Sequence, residues 1–409
     1  MDILILNASR ALAAGDPIGA LNQVALRDDA PALALRGIAM AQLGDFARAK
    51  ALLRQATKAF GAQDVIARAR CVVAEAEVAL ASRDLAWPEK SLAAACATLR
   101  AQGDTVNAAH AAQLQARRQL LVGRPDDAGH TLDGVDATRL PAASRAIHEL
   151  IRGGIALRRI QASAASAALR RAADAARQAG IPALSAEVDR AFRALHAPAG
   201  RRVAQGGTRD MPLGEVEALL ASTALIIDAC RNVLWREGQT VSLATRPVLF
   251  ALARMLAEAW PRDVSREQLI AQAFRTGFQD ESHRVRLRVE IGRLRAAMRP
   301  LAGVHATKQG FVLRPEGAPE VVVLARPVDL ADRDQAAVLA CLADGQAWSS
   351  SALALALGAS QRTVQRALDA LAAAGQAQPL GHGRARRWMT PPVPGFTTSL
   401  LLPALLPDQ

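Results

Sequence analysis

The pattern of hydrophobic and polar positions divides the chain into five segments. Residues 1–197 are patterned as one helix after another, because apolar residues recur every three or four positions and Gly and Pro fall between segments. Residues 198–212 are small and basic without periodicity, which predicts an exposed linker. Residues 213–316 are patterned as short strands and helices, and so are residues 320–391. An apolar tail follows at 392–409. The predicted fold class is mainly α, with small β-sheets in the second half.

The clearest helical pair covers residues 33–56 and turns at Gly44-Asp45. It carries small residues where two helices would approach closely and larger ones that would fill the space between them: Gly37, Ala49, Ala56, Phe46 and Leu53. Related spacing recurs at Gly15-Asp16-Pro17, at Gly123-Arg124-Pro125 and over residues 145–179. This pattern resembles the tetratricopeptide repeat. The resemblance implies a stack of helix pairs with a concave groove for a peptide or partner protein; a scaffold or dimer contact is the alternative.

Residues 213–316 are predicted to form a small sheet, three helices and a terminal hairpin. The sheet strands are expected at 224–228, 232–235 and 240–243, and the first helix at 247–259. Ser265 and Gln268 have the spacing of a capping box, which begins the second helix. The third helix is predicted at 282–299 and the hairpin at 304–313, with its turn near Lys308-Gln309-Gly310.

Four short motifs give this segment a family resemblance. They are Val241-Ser242-Leu243-Ala244-Thr245, Val264-Ser265-Arg266-Glu267-Gln268-Leu269, Val289-Glu290-Ile291-Gly292-Arg293-Leu294-Arg295, and Gly310-Phe311 in the hairpin. Together they resemble the effector domain of OmpR/PhoB-type response regulators. The resemblance implies a winged helix-turn-helix that binds DNA. No phosphorylatable receiver domain is predicted upstream, because that half of the chain is patterned as helix.

The third predicted helix of this segment has one apolar face and one strongly basic face. At 100° per residue, Leu287, Ile291, Leu294 and Met298 form a stripe that must face the core. The remaining surface carries the candidate DNA contacts. Base edges in the major groove are predicted to be contacted by Arg286, Val289 and Arg293. Phosphates are predicted to be contacted by Arg284, Arg288, Arg295 and Arg299, and Lys308 is a further candidate at the wing tip. A solvated basic face, as on winged helices that bind protein, is the alternative.

Residues 320–391 are predicted to form a second, smaller module. A short strand is expected at 320–325, helices at 332–343, 352–357 and 360–374, and a wing loop at 380–385. By pattern, residues 330–391 resemble the winged helix of MarR- and DeoR-type regulators. Its candidate DNA contacts are Ser360, Arg362, Gln365, Arg366, Arg384, Arg386 and Arg387. A module retained for dimerisation, with a solvated wing, is the alternative.

The charge balance of the chain favours an acidic partner. The 409 residues include 50 Lys and Arg against 38 Asp and Glu, which gives a net charge of +12. The only lysines are Lys50, Lys58, Lys90 and Lys308. Clustered guanidinium groups neutralise phosphate, so nucleic acid is the first partner expected. A GC-rich genome would produce the same arginine bias.

The sequence contains no pattern that indicates catalysis, a cofactor or a metal. H-E-x-x-H, phosphate-loop and G-x-S-x-G motifs are absent, and the seven histidines have no ligand spacing. Four widely separated cysteines favour a reducing compartment: Cys71, Cys96, Cys230 and Cys341. No apolar run reaches the ~20 residues that span a membrane, and the start does not resemble a signal peptide. We therefore expect a soluble cytoplasmic protein that is not an enzyme and uses no cofactor.

These features together predict a bacterial-type transcription regulator. Two tandem winged helices would bind double-stranded DNA, and the helical segment would bind a signal, peptide or partner protein. A homodimer is left open. The alternative function is a non-enzymatic adaptor whose helical array and winged helices mainly bind proteins.

Overall fold

The computed structural model describes residues 2–82, 87–204, 207–274, 280–317, 320–325, 332–342, 348–357, 359–373, 376–381, 383 and 386–389. The predicted contact Arg384 and the tail at 392–409 lie outside these residues. These described residues of the protein are mainly helical, with 65% helix and small sheets. Its described residues form two compact units, one from 1–159, 163–194 and 335–409 and the other from 160–162 and 195–334. Among the described helices, none has the length and apolar character that a membrane crossing requires.

Among the described residues of the first half of the chain, eleven α-helices follow one another. They are α1 Ile3–Ala13, α2 Pro17–Val24, α3 Ala30–Gln42, α4 Phe46–Ala59, α5 Val65–Ala81, α6 Glu89–Ala101, α7 Thr105–Leu121, α8 Pro125–Asp133, α9 Ala142–Arg158, α10 Ala162–Ala179 and α11 Pro182–His196. From α1 to α8, each helix packs against the next, and from α1 to α9 each odd-numbered helix also contacts the next odd-numbered one. The odd-numbered helices therefore form one layer of a helical array.

A recurring Gly-Asp turn joins several of these helices. At three turns a glycine has a positive φ between +76° and +86°, and the next residue is an aspartate whose carboxylate accepts a hydrogen bond from the backbone N–H three residues on: Gly15-Asp16, Gly44-Asp45 and Gly103-Asp104. Glycine ends one helix without steric strain, and the aspartate caps the next. The turns predicted at Gly15 and Gly44 are confirmed, and the turn at Gly103 is an additional one.

Glycines inside two helices allow a leucine of the following helix to approach the backbone. A Cβ built on Gly37 would lie 2.9 Å from Cγ of Leu53, and one on Gly153 would lie 2.8 Å from Cδ2 of Leu169. Both leucines are fully buried. The close approach predicted for Gly37 and Leu53 is therefore confirmed, and α9 and α10 use the same kind of contact 116 residues further along.

The second unit combines a six-stranded sheet with four helices and a smaller, three-stranded sheet. Its strands are β1 Pro198–Ala204, β2 Gly207–Pro212, β3 Leu225–Asp228, β4 Val233–Arg236, β5 Gln239–Ser242, β6 Val264–Ser265, β7 Ala302–Ala306, β8 Gly310–Pro315 and β9 Val321–Ala325. Its helices are α12 Leu213–Leu220, α13 Pro247–Ala259, α14 Arg266–Phe274 and α15 Glu281–Met298. The three strands and three helices predicted between residues 224 and 299 are all present.

The six-stranded sheet separates two apolar cores. Its strand order is β2-β1-β9-β3-β4-β5, with β9 parallel to β3. Leu225 and Ile227 of β3 belong to the core formed with α13 and α15, whereas Ile226 packs with Met211 and Val216 on the opposite face. Because alternate residues of a strand face opposite sides, a sheet covered on both sides gives the unbroken apolar runs seen in β3 and β9.

Two predicted boundaries are wrong. Residues 198–204 and 207–212 are not a linker but form the paired strands β1 and β2, in which Arg201 lies opposite Asp210 and its Nε is 2.7 Å from the Asp210 Oδ1 atom. Residues 320–325 do not open the second module, since β9 lies in the middle of the six-stranded sheet. Backbone pairing and the Arg201–Asp210 ion pair hold β1 and β2 together. Neither strand has an apolar run, so the hydrophobic pattern did not indicate strands here.

The three helices α13, α14 and α15 pack together against the two sheets. Ser265 and Gln268 form the predicted capping box: Ser265 Oγ accepts from the Gln268 N–H at 3.2 Å, and Gln268 Oε1 accepts from the Ser265 N–H at 3.3 Å. β7 and β8 form the predicted hairpin, and β6 joins them in the order β6-β8-β7.

The last described segment is a small module of three helices and one hairpin. It contains α16 Asp332–Leu342, α17 Ser350–Leu357, α18 Gln361–Ala373, β10 Gln378–Leu380 and β11 Arg387–Met389. Its core includes four apolar residues of α18: Val364, Ala367, Leu368 and Leu371. Trp388 is 1% exposed in the same core, and its backbone exchanges two hydrogen bonds with that of Trp348.

A matched pair of glycine substitutions tests the close contact between α9 and α10. We expect Gly153→Ala to be less stable than Gly154→Ala by about 1–3 kcal/mol, because only the first forces a methyl group against Leu169. Both changes bring the same gain in helix propensity, so it cancels in the difference. Urea unfolding of the full chain, followed by helical circular dichroism, measures this difference. Equal stabilities would contradict the contact.

Candidate nucleic-acid interface

Helix α15 is held in the second unit by its predicted apolar stripe. Leu287, Ile291, Leu294 and Met298 are each at most 2% exposed and belong to the core shared with α13 and β8. Because one face of the helix is buried in this way, its other faces are turned to solvent. These are the faces that carry the candidate DNA contacts.

The centre of the exposed face of α15 is apolar and small. Val285 is 50% exposed and Val289 is 48% exposed, and Gly292 and Ala296 are exposed as well. We call these four residues the central strip, since spacings of three and four residues place them along one line of the helix. A Cβ built on Gly292 would have no heavy atom within 4 Å, so another molecule can come close to the backbone there.

Arginines border the central strip on both sides. From the 100° rotation per residue, one side carries Arg286 and Arg293, and the other carries Arg284, Arg288, Arg295 and Arg299. All six are exposed. The result is a helix face with an apolar centre and positively charged edges.

Two of these arginines have no partner among the residues that the structure describes. Arg288 and Arg299 make no ion pair, hydrogen bond or ring contact there. Arg284 has a weak, exposed partner, since its Nη1 lies 3.4 Å from Oε2 of Glu281 one turn earlier. An exposed pair of this kind contributes little to stability, so these guanidinium groups are available to an external anion.

The two arginines on the other side of the strip are oriented by neighbours. Arg293 Nη1 donates to Glu290 Oε1 at 2.9 Å, and the Glu290 side chain is only 14% exposed. The guanidinium carbon of Arg286 lies 4.4 Å from the centre of the Phe274 ring at the end of α14. Both side chains are therefore restrained before any partner binds, which lowers the entropy cost of binding.

Arg295 has a structural contact that the sequence analysis did not anticipate. Its Nε donates to the backbone carbonyl of Val304 at 2.7 Å, and its guanidinium carbon lies 5.8 Å from the centre of the Phe311 ring. The predicted phosphate contact thus also fastens α15 to β7 and β8.

The turn between β7 and β8 is fixed by Arg266, a residue that the sequence analysis did not single out. Its two terminal nitrogens donate to the carbonyl oxygens of Thr307 and Lys308 at 3.1 and 3.0 Å. Thr307 Oγ1 also donates to an Asp263 carboxylate oxygen at 2.5 Å. A Cβ on Gly310 would lie 1.8 Å from a backbone oxygen of β6, so only glycine fits there. The exposed Lys308 side chain is therefore presented by a rigid turn.

In the last module, α18 exposes two of its candidate arginines. Arg362 and Arg366 are exposed. Gln365 is partly buried, and its amide donates to Asp369 Oδ1 at 2.8 Å. Ser360 Oγ accepts from the Thr363 N–H at 3.1 Å, so this hydroxyl caps α18. Two of the four predicted contacts on this helix already have intramolecular partners.

The wing-like hairpin of the last module is described only in part. Arg386 and Arg387 are exposed, and the guanidinium carbon of Arg386 lies 4.4 Å from the centre of the Trp388 ring. Arg384 is outside the described residues.

The N-terminus of α15 is capped by Asp280. Its Oδ1 accepts from Ser282 Oγ at 2.6 Å and from the His283 N–H at 3.0 Å, and lies 2.7 Å from His283 Nδ1. The hydrogen bond from Ser282, followed by that from the His283 backbone, lowers the pKa of Asp280 to about 2. The sequence carried a signal for this cap, because an aspartate directly before an amphipathic segment favours a helix start.

Comparison with protein-family models, with curated proteins and with solved structures found no match for this chain. Among the described residues, no group of three or more His, Cys, Asp or Glu side chains could hold a metal ion. The chemistry that α15 offers is guanidinium donors beside an apolar strip, which suits non-covalent binding of an anionic, partly apolar surface.

The cap at Asp280 predicts a pH-dependent contribution to stability. The pKa of this carboxyl is lower in the folded chain than its ordinary value of 3.8, so the cap stabilises the fold above that pH and is lost as the pH falls through about 2. We expect the Tm difference between wild type and Asp280→Ala to be constant above about pH 5 and to shrink towards pH 2. Asp280→Asn, which retains an acceptor but does not titrate, is the control. A difference that does not change with pH would contradict the assignment.

Proposed function

We propose that this protein is a sequence-specific, double-stranded DNA-binding transcription regulator that reads DNA with α15. The observation that carries the proposal is the exposed face of α15, where six arginines border the central strip of Val285, Val289, Gly292 and Ala296. In this proposal α13, α14, α15 and the β7–β8 hairpin act as a winged helix-turn-helix of the OmpR/PhoB type.

The two kinds of residue on α15 suit the two kinds of DNA contact. An α-helix fits the major groove, and exposed valines can contact thymine methyl groups while Arg286 and Arg293 reach guanine acceptors. Arg284, Arg288 and Arg299 are placed to bind phosphates along one edge. Lys308 extends from the turn between β7 and β8, where a wing contacts the neighbouring backbone.

The remaining segments are given roles that fit their surfaces. Arg362 and Arg366 on α18, with Arg386 and Arg387 on the hairpin, make the last module a second DNA reader of the MarR/DeoR type. The helical array, which resembles tetratricopeptide repeats, serves as the partner- or signal-binding part. No catalytic step or cofactor enters the proposal.

Selection from a random duplex library is the direct test. Purified full-length protein at about 150 mM salt, where non-specific binding is suppressed, should enrich a discrete motif. Affinity for that motif should fall by about 10³ or more between 50 and 200 mM salt if several phosphates are neutralised. Enrichment of no motif would contradict sequence-specific recognition and favour the adaptor function.

A substitution in the central strip separates DNA contact from folding. Gly292→Glu should abolish motif binding, because a carboxylate would enter the groove beside the phosphates, whereas the space around Gly292 is open and the fold should persist. Gly292→Ala is the matched control and should retain binding. Electrophoretic mobility shifts and circular dichroism measure the two properties. Normal DNA binding by a folded Gly292→Glu protein would exclude α15 as the reading helix.

Loss of Arg288 tests the phosphate edge. Arg288→Ala should weaken binding to all duplexes about equally and reduce the slope of log affinity against log salt by about 1, because one phosphate contact is removed. Arg170→Ala removes the same charge from an exposed position of α10 and should leave the slope unchanged. Fluorescence anisotropy over a salt series provides both values. An unchanged slope for Arg288→Ala would remove this residue from the interface.

A further inference from the structure

The helical array contains an apolar cavity near its N-terminal end. The cavity has a volume of about 200 Å³ and lies among α1, α3, α4 and α5 and the residue that follows α4. Its lining is mostly apolar and includes one charged residue, Arg70, and one thiol, that of Cys71. A dry, apolar cavity of roughly 150 Å³ is already large enough to bind benzene.

The lining has a closed end and an open end. Leu35, Ile38 and Leu53 are buried and form part of the closed end, whereas Pro31 is exposed and Ala34 is half-buried. A small molecule could therefore enter from solvent between α3 and its neighbours. Alanines line the cavity at three positions where larger side chains would fill it: Ala34, Ala67 and Ala74.

Arg70 is the charged residue of the lining, and it retains unused hydrogen-bond donors. Its Nε donates to Asp104 Oδ2 at 2.7 Å, and its side chain is 17% exposed. Its terminal nitrogens make no hydrogen bond to any other described residue. Since Asp104 balances the positive charge, the nearby donors suit a hydrogen-bond acceptor more than they require an anion.

The other polar group of the lining stays neutral. Burial raises the pKa of the Cys71 thiol to about 11, so at neutral pH the cavity contains no thiolate. Apolar walls with a donor at one side recognise a molecule that is mostly hydrocarbon and has one polar end.

We propose that this cavity binds a compact apolar molecule with one carbonyl-type oxygen, which accepts a hydrogen bond from Arg70. An aromatic or branched ketone and the matching carboxylate share this chemistry. The site is separate from α15, so the proposal does not depend on DNA binding.

Fluorinated probes test the cavity in the full-length protein. Binding of 4-fluoroacetophenone, 4-fluorobenzoate and fluorobenzene is measured by ¹⁹F NMR titration. We expect saturable binding of the acetophenone or the benzoate, or both, and weaker binding of fluorobenzene, which lacks the oxygen. Tighter binding of the ketone identifies a neutral ligand class and tighter binding of the benzoate an acidic one; both outcomes support the site. No saturable binding of any probe would overturn it.

Cavity-filling variants locate the binding. Ala34→Leu and Ala67→Leu place larger side chains at half-buried positions of the lining and should raise Kd at least about tenfold. Ala47→Leu adds the same side chain at an exposed position of α4 and should leave Kd unchanged. Arg70→Lys keeps the charge beside Asp104 but loses the guanidinium fork, so it should weaken the oxygen-bearing probes and not fluorobenzene. Unchanged binding by folded Ala34→Leu and Ala67→Leu proteins would overturn the assignment.

Discussion

The parallel pairing of β9 with β3 is the contact on which the second unit depends. Residues 321–324 of β9 are 0–4% exposed, and the strand lies between β3 and the hairpin β1–β2. In the chain, β5 precedes α13 and β9 follows β8. Since both strands belong to the six-stranded sheet, the segment from α13 to β8 begins and ends at that sheet. α13 packs on β9, and the apolar stripe of α15 packs on α13, so the sheet supports the basic face of α15 through α13.

Two groups of arginines in the second unit differ in what their guanidinium groups contact. Arg266 and Arg295 donate to backbone carbonyls of the β7–β8 hairpin, and Arg236 donates to the carbonyl of Leu301. Such contacts use the fixed geometry of the guanidinium group, which lysine cannot reproduce. Arg288 and Arg299 have no such partner among the described residues. A high arginine content therefore serves both internal structure and an exposed charged surface, and sequence alone does not separate the two uses.

The sequence predicted those parts of the fold whose signals are local. The buried stripe of α15, the Ser265–Gln268 capping box and the Gly44-Asp45 turn depend on residues a few positions apart, and all three are present. The position of β9 depends instead on pairing between distant residues, such as Arg202 of β1 with Leu324, 122 positions apart, and Leu225 of β3 with Val321, 96 positions apart. The apolar run of β9 predicted a strand but not its partners, so it was taken for the start of another module. β1 and β2 lack an apolar run and were taken for a linker.

The same difference between local and distant contacts decides which parts of the candidate site could be predicted. Helical periodicity alone placed Arg286, Val289 and Arg293 away from the core, and they are exposed. The contacts of the arginines depend on tertiary packing or on rotamer choice. Phe274 orients Arg286, Glu290 orients Arg293, and Arg295 is attached to Val304.

An alanine-rich array has a packing consequence that links its stability to its cavity. Where glycine faces leucine, as at Gly37 and Leu53, small residues let two helices approach until their surfaces interlock. Leu53 also lines the apolar cavity, and three alanines line the same space: Ala34, Ala67 and Ala74. Small side chains thus let α3 and α4 pack closely at Gly37 and leave an unfilled space where alanines line the cavity. A bound molecule in that space would supply the missing contacts and would stabilise the array in proportion to its affinity and concentration.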